Sequence, residues 1–254
     1  LRTEICENNK MNRILSGTPP VVRKLIIINV VMLLLNELLR LTSGINLNGM
    51  LGLYFPKSEF FRSWQIVTHM FMHGGFIHLF FNMFALWMFG RILEQVWGPK
   101  RFLLYYLVTG LGAAFFFELV QWIQYNKVMA ILSPEQIQYI YDVGGDAVSQ
   151  GKNFTDSHMG RLNSILNVPV VGASGAVFGV LLAFGMLFPN TQLMFIFPPI
   201  PVKAKYVVIG YAAIELYLAI TSPGSGIAHT AHLGGMIFGY ILIRYWRKTT
   251  KTLY

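Results

Sequence analysis

The chain has 254 residues, 54% of them hydrophobic and only 12% charged, with a positive mean hydropathy. Water-soluble domains carry about 25% charged residues, so this composition excludes an ordinary soluble globule and points to a lipid bilayer. A net charge of +9 would raise nucleic acid as a partner of a soluble protein, but no basic run here is interleaved with aromatics, and no nucleic-acid surface is expected.

Six apolar segments meet or approach the roughly 20 residues of a spanning helix. They lie at about 24–42, 69–90, 101–124, 168–188, 204–221 and 227–246. The expected fold is an all-α membrane protein, a bundle of six transmembrane helices over 24–247, with a cytoplasmic segment at 1–23 and a cytoplasmic tail at 248–254. Residues 1–10 precede a plausible start at Met11. The first apolar segment lacks a small-residue cleavage site and is read as a retained helix. Turn residues mark two tight breaks, at Gly98-Pro99 and Ser222-Pro223-Gly224. With the N-terminus inside, most of the 20 Lys and Arg fall in cytoplasmic segments, among them Arg23, Lys24, Arg91, Lys100, Lys203 and Arg247. Glu59, Glu135, Asp142, Asp146 and Asp156 fall in the opposite loops. This is the positive-inside pattern, and it places both termini in the cytoplasm.

The first outer loop, about 43–68, mixes Leu53, Tyr54, Phe55, Phe60, Phe61 and Trp64 with Asn46, Lys57, Glu59 and Arg62, which suits the headgroup boundary. The largest polar insertion, about 125–167, is also outside. Ser133 with Gln136 three residues on predicts a capped surface helix to about Tyr141. Gly144-Gly145 through Arg161 reads as irregular loop, and no part of the insertion is large enough to hold its own core. Cys6 is the single cysteine, so no intramolecular disulfide exists.

Within the fourth segment, Gly172-Ala173-Ser174-Gly175 places Ser174 near the outer end of a helix. Helix N-termini offer unpaired backbone N–H groups and a positive dipole end, which favour an oxyanion. Gly172 lets backbone approach a substrate closely. Position 176 is Ala, so the hydrolase elbow Gly-x-Ser-x-Gly is absent. Taken alone, the run also fits helix packing, since Gly175 and Gly179 make a small-xxx-small pair. His232 opens the sixth segment at a matching depth, followed by Gly235 and Gly239 on one helical face. Those glycines would let the sixth helix press on Gly175 and Gly179 and bring imidazole to hydroxyl. A neutral histidine can take a serine proton at physiological pH. His78 and Asn82, four apart on one face, offer hydrogen-bond donors to an oxyanion, or else form an interhelical polar pair. His69 and His73 have helical metal-ligand spacing, but no His-Glu-x-x-His, cysteine cluster or carboxylate pair accompanies them. No metal and no organic cofactor is expected.

In this order and at this depth, His78-x-x-x-Asn82, Glu94-x-x-x-Gly98, Gly172-Ala173-Ser174-Gly175 and Ala231-His232-x-x-Gly235-x-x-x-Gly239 make the chain resemble the rhomboid family of intramembrane serine proteases, bacterial six-helix type, over about residues 20–247. The resemblance implies a serine endopeptidase with Ser174 as nucleophile and His232 as base, a dyad without an acidic third member. It implies an oxyanion site from His78, Asn82 and the Ser174 backbone N–H, with Gly172, Gly175, Phe178, Gly235 and Gly239 in support. It further implies a fifth helix acting as a lateral gate, a cap at about 222–229, and single-pass transmembrane proteins as substrates, cleaved in a bacterial inner membrane.

Two departures stand out. The family often carries Trp-Arg in the first outer loop, where this chain has Trp64-Gln65, leaving the usual charge contact without its arginine. It often has Tyr four residues after the nucleophile, where Phe178 keeps the ring without the hydroxyl. The alternative is a catalytically inactive rhomboid-like protein that binds membrane clients. Such relatives typically lack the serine or the histidine, and both are present here.

Overall fold

The computed structural model describes residues 17–194, 200–221 and 229–249. Helix α1 (Pro20–Ser43) begins with proline at its first position and ends at Gly44, whose φ of 70° is left-handed. Its first N–H groups have no cap in the adjacent sequence. Instead Glu94, buried at 2% exposure, accepts from Val21 N at 2.9 Å and Val22 N at 2.8 Å. The carboxylate thus meets the positive end of a helix dipole and satisfies two donors at once. Outward-facing Leu34, Leu38 and Leu41 stay exposed, as a lipid-facing helix requires.

The outer loop contains α2 (Leu47–Leu51) and α3 (Gln65–Thr68), which runs into a 3₁₀ turn at His69–Phe71. Gln65 is its hub. Its Oε1 accepts from Arg62 N at 3.0 Å and Tyr54 N at 3.4 Å, and its Nε2 donates to Phe60 O at 3.0 Å and Met50 O at 3.3 Å. A buried neutral amide here binds four backbone groups without any charge to desolvate, so the loop is tied down without the expected arginine.

The second long helix, α4, spans Phe76–Trp97. The apolar run at 69–90 predicted an earlier start. The chain leaves its 3₁₀ turn at Phe71 and breaks at Gly74-Gly75, where Gly75 takes φ 155°. A π-helical turn at Leu86–Gly90 lies where α4 packs against Val22 and Phe102, and a Cβ on Gly90 would come within 3.0–3.2 Å of its neighbours. Gly98 (φ 76°) then turns the chain into α5 (Pro99–Met129).

At 31 residues α5 is roughly 46 Å long, more than the ~30 Å hydrocarbon layer, so one end projects from it. The insertion packs there. The capping box at Ser133 and Gln136 is present. The helix it opens, α6 (Pro134–Ser149), does not stop near Tyr141 but continues through Gly144-Gly145. A Cβ on Gly144 would crowd the Asn163 and Asn167 side chains of α7 (Ser157–Asn167), so that glycine serves helix contact, not a loop. Asp156 caps α7 through His158 N and Met159 N. Phe55, Tyr125, Val128, Leu132, Ile140 and Leu162 close a small second core, so the insertion borrows apolar surface from α5 and the outer loop.

Helix α8 (Ser174–Leu187) has 14 residues, ten of them buried, and stands in the middle of α4, α5, α9 and α10. A two-stranded antiparallel ribbon, β1 (Gln192–Met194) with β2 (Pro201–Lys203), joins it to α9 (Ala204–Thr221). The last helix, α10, is His229–Thr249. Among the described residues, α1, α4, α5 and α9 are long and apolar enough to cross a membrane, and α8 and α10 pack among them to complete the bundle. The fold is therefore the expected all-α membrane bundle. Met11, the Ser222–Gly224 turn, residues 250–254 of the tail and most of the 222–229 cap lie outside the described residues.

Replacing Glu94 with Ala strips two donors at the start of α1 of their partner, one of them buried. We expect a loss of roughly 1–3 kcal/mol, read as a lowered midpoint of thermal unfolding in detergent, with Glu94→Gln falling between the two.

Candidate active site

Ser174 is the first residue of α8, placed there by an extended approach. Val170 pairs with Leu53 in an isolated bridge, and Gly172 N donates to His69 O at 2.9 Å. Gly172 has φ 135°, a left-side conformation suited to glycine, and a Cβ there would lie 2.9–3.0 Å from the His78 ring. On the opposite wall, a Cβ on Gly235 would collide with the Gly175 carbonyl oxygen. That close approach of α10 to α8 brings His232 Nε2 to 2.9 Å from Ser174 Oγ across 58 residues of sequence.

The glycine expectation needs one correction. Gly235 does face Gly175, but Gly179 abuts Thr109 and Gly239 abuts Tyr105, both on α5. α8 is surrounded, so its small residues accommodate two neighbouring helices. Tyr105 further locks the α5 contact by donating to Gly179 O at 2.8 Å.

Phe178 lies flat on the His232 imidazole, ring centroids 4.2 Å apart and planes inclined by 7°. The hydroxyl lost relative to Tyr does not affect this face-to-face contact. Gly74 N–H donates to His78 Nδ1 at 3.4 Å, a long contact consistent with the ring proton on Nε2, and the ring's Nε2 side faces Gly172. Asn82 Nδ2 donates to His78 O at 3.0 Å, which occupies one of its two amide hydrogens. Ser174, His232, His78 and Asn82 all line one cavity of about 1540 Å³. The cavity extends past Phe81 and Met88 of α4 to Val207 and Tyr211 of α9, so it reaches from the polar pocket to the lipid-facing side of the bundle.

The His69/His73 spacing does not form a ligand pair. His69 Nδ1 binds Gln65 O at 2.9 Å, and His73 sits beyond the 3₁₀ turn. Burial, together with the neighbouring His78, pulls His73 down to about 3, so it is neutral throughout the physiological range. The titratable cluster lies elsewhere. Glu215 of α9 places Oε2 2.7 Å from His229 Nδ1 and 3.0 Å from His232 Nδ1, all three residues buried. Among the described residues this is the one group with metal-ligand character. Glu215 Oε2 lies at hydrogen-bond distance from a ring nitrogen of each histidine, which fits protons shared between carboxylate and imidazoles. Sequence reasoning did not connect these residues. The only signal was an acid in a lipid-facing helix, which has to be paired with something.

The Ser174 hydroxyl is thus in hydrogen-bond contact with an imidazole at a helix N-terminus inside a multi-pass membrane protein. A Rhomboid domain model matches residues 61–249, and the chain belongs to the rhomboid family. Rhomboid protease AarA from Providencia stuartii is 26% identical over 186 residues, covering 70% of this chain and 54% of that protein. Rhomboid protein 1, mitochondrial, from Saccharomyces cerevisiae is 26% identical over 194 residues, 74% of this chain and 43% of that protein. Rhomboid protease GluP from Bacillus subtilis is 28% identical over 177 residues, 70% of this chain and 25% of that protein. The chain thus spans about half, or less, of the length of these relatives.

If the Gly235–Gly175 approach sets the site, Gly235→Val should push α10 away. We expect a midpoint lowered by several degrees together with loss of the site. Gly210→Ala in α9, where a Cβ meets nothing within 4 Å, should leave thermal unfolding unchanged or raise it slightly, by up to about 1 kcal/mol.

Proposed function

We propose that the chain is an intramembrane serine endopeptidase acting through Ser174 and His232. The observation that carries this reading is the 2.9 Å contact between Ser174 Oγ and His232 Nε2 inside a cavity that also reaches the bilayer side. As Ser174 Oγ attacks a substrate carbonyl carbon, its proton passes to His232 Nε2. The oxyanion is held by the Ser174 backbone N–H, His78 Nε2 and an Asn82 amide hydrogen. Collapse breaks the C–N bond, and His232 returns the proton to the leaving amine. Water then attacks the acyl ester by the same route in reverse roles, which regenerates the serine. Residues at the site supply every proton movement, so this scheme involves no cofactor.

The substrates we propose are single-pass transmembrane proteins entering sideways between α4 and α9, where Phe81, Val207 and Tyr211 line an apolar approach. A transmembrane helix must unwind there to present a carbonyl. Gly or Pro near the scissile bond would help, each weakening a helix by roughly 1 or 3 kcal/mol. The proposed setting is a bacterial inner membrane with both termini on the cytoplasmic side and the serine near the outer face, a reading supported by the basic residues at the ends of the bundle.

The test is purified protein in detergent or liposomes with a fluorogenic transmembrane peptide. Ser174→Ala should lower cleavage by roughly 10³-fold or more while thermal unfolding stays the same. A fluorophosphonate should label wild type at Ser174. Undiminished cleavage by the alanine variant overturns the nucleophile, and absence of both cleavage and labelling favours a client-binding rhomboid-like protein.

A further inference from the structure

We infer that Glu215 is a positioning residue for His232, giving this chain an acid–imidazole–hydroxyl line in place of a bare serine–histidine pair. The inference rests on the function proposed above and deepens it. His232 can accept the serine proton only if its Nε2 is unprotonated, so the ring proton must sit on Nδ1. In a buried site that N–H needs an acceptor. Glu215 Oε2 is 3.0 Å away, and Nδ1 has no other partner among the described residues. The ring N–H is not aimed squarely at Oε2 in this arrangement, so the contact is a close approach of carboxylate to imidazole and not an aligned hydrogen bond. His229 sets that carboxylate from the other side, with its Nδ1 donating to the same oxygen at 2.7 Å. Phe178 stacked on one face of the imidazole restricts how far the ring can tilt away.

Two consequences follow for the chemistry. The carboxylate selects the tautomer that leaves Nε2 free toward Ser174. It also faces the positive charge that forms on the imidazole once Nε2 has taken the serine proton, stabilising that state relative to the resting one. Glu215 does not touch the reacting atoms, and its effect passes through His232. A buried acid on a helix whose other side chains mostly face lipid is expensive to maintain, and a purely apolar contact would hold α9 at lower cost.

The experiment compares wild type, Glu215→Gln and Glu215→Asp in detergent, measuring kcat and KM on the transmembrane peptide and the rate of fluorophosphonate labelling. The Gln variant keeps the shape and removes the charge. We expect its kcat and its labelling rate to fall together, by about 10²-fold or more, with KM within about twofold. Glu215→Asp keeps the charge at shorter reach and should recover part of both rates. Labelling does not depend on entry of a long substrate, so a parallel fall in both rates separates positioning from a role in holding α9. If Glu215→Gln keeps kcat and labelling within about threefold of wild type, or changes only KM and thermal stability, the inference is wrong. If Gln fails to fold, Asp alone decides: a kcat unchanged from wild type overturns the inference, and a kcat lowered several-fold at constant KM supports it. Wild type that neither cleaves nor labels overturns the proposed function itself, a different result from an active wild type indifferent to residue 215.

Discussion

The contact on which the site depends is between two backbones, not two side chains. Where α10 crosses the start of α8, Gly235 leaves no room for even a methyl group against the Gly175 carbonyl. That proximity fixes the distance from which His232 reaches Ser174. The apolar solvent adds no driving force for pressing helices together, so packing has to come from small residues that allow close contact and from polar groups with no alternative partner. Both devices recur throughout the bundle. Gly112 and Gly234 admit Phe238 and Phe116, while Tyr105 and Thr109 bind backbone carbonyls in the interior.

Polar side chains do a second kind of work at the ends of the helices. Glu94 caps a helix seventy residues away in sequence, and Gln65 ties four backbone groups of the outer loop. Each lies where backbone would otherwise be buried unpaired, a cost of about 1–3 kcal/mol per group. Gln65 stands where the family often has arginine, and in this chain it ties the loop through neutral hydrogen bonds alone. An amide offers both an acceptor and donors, whereas a guanidinium offers donors alone, so the loop here uses its carbonyl side to collect the Tyr54 and Arg62 N–H groups.

What could be read from sequence was whatever depends on local pattern. Apolar runs marked the long helices, and α9 over 204–221 came with its bounds, because prolines and Lys203 precede it and Ser222-Pro223-Gly224 follows it in the sequence. Ser174 and His232 were recognisable because glycines and equal depth constrain them together. The insertion was misread for a comparable reason. Gly144-Gly145 looks like a chain break, but the missing Cβ at Gly144 makes space for Asn163 and Asn167, a partner supplied only by the tertiary fold. The cap at Asp156 was visible in principle, as an Asp before a helical stretch, and was overshadowed by the polar composition around it. Glu215 had no readable motif. A carboxylate is matched to its histidines by the rotation of one helix against another, and a single sequence carries no record of that rotation.

This rotation links the wall of the cavity to the Ser174–His232 contact. α9 buries only Ala204 and Val208 near its start and Glu215 in its second half, while Tyr206, Ile209, Ile214, Tyr217 and Ile220 face outward. Its inner end is held by apolar packing against Gly185, and its outer half by one carboxylate between two imidazoles. The cavity beside Ser174 is walled by the same helix, through Val207 and Tyr211. Any displacement of α9 that widens the approach between α4 and α9 must therefore also move the group lying against His232 Nδ1. A wall built from apolar contacts alone could slide without touching the imidazole. Here the geometry does not permit that independence, because the side chain that anchors the wall is the one that meets the His232 imidazole.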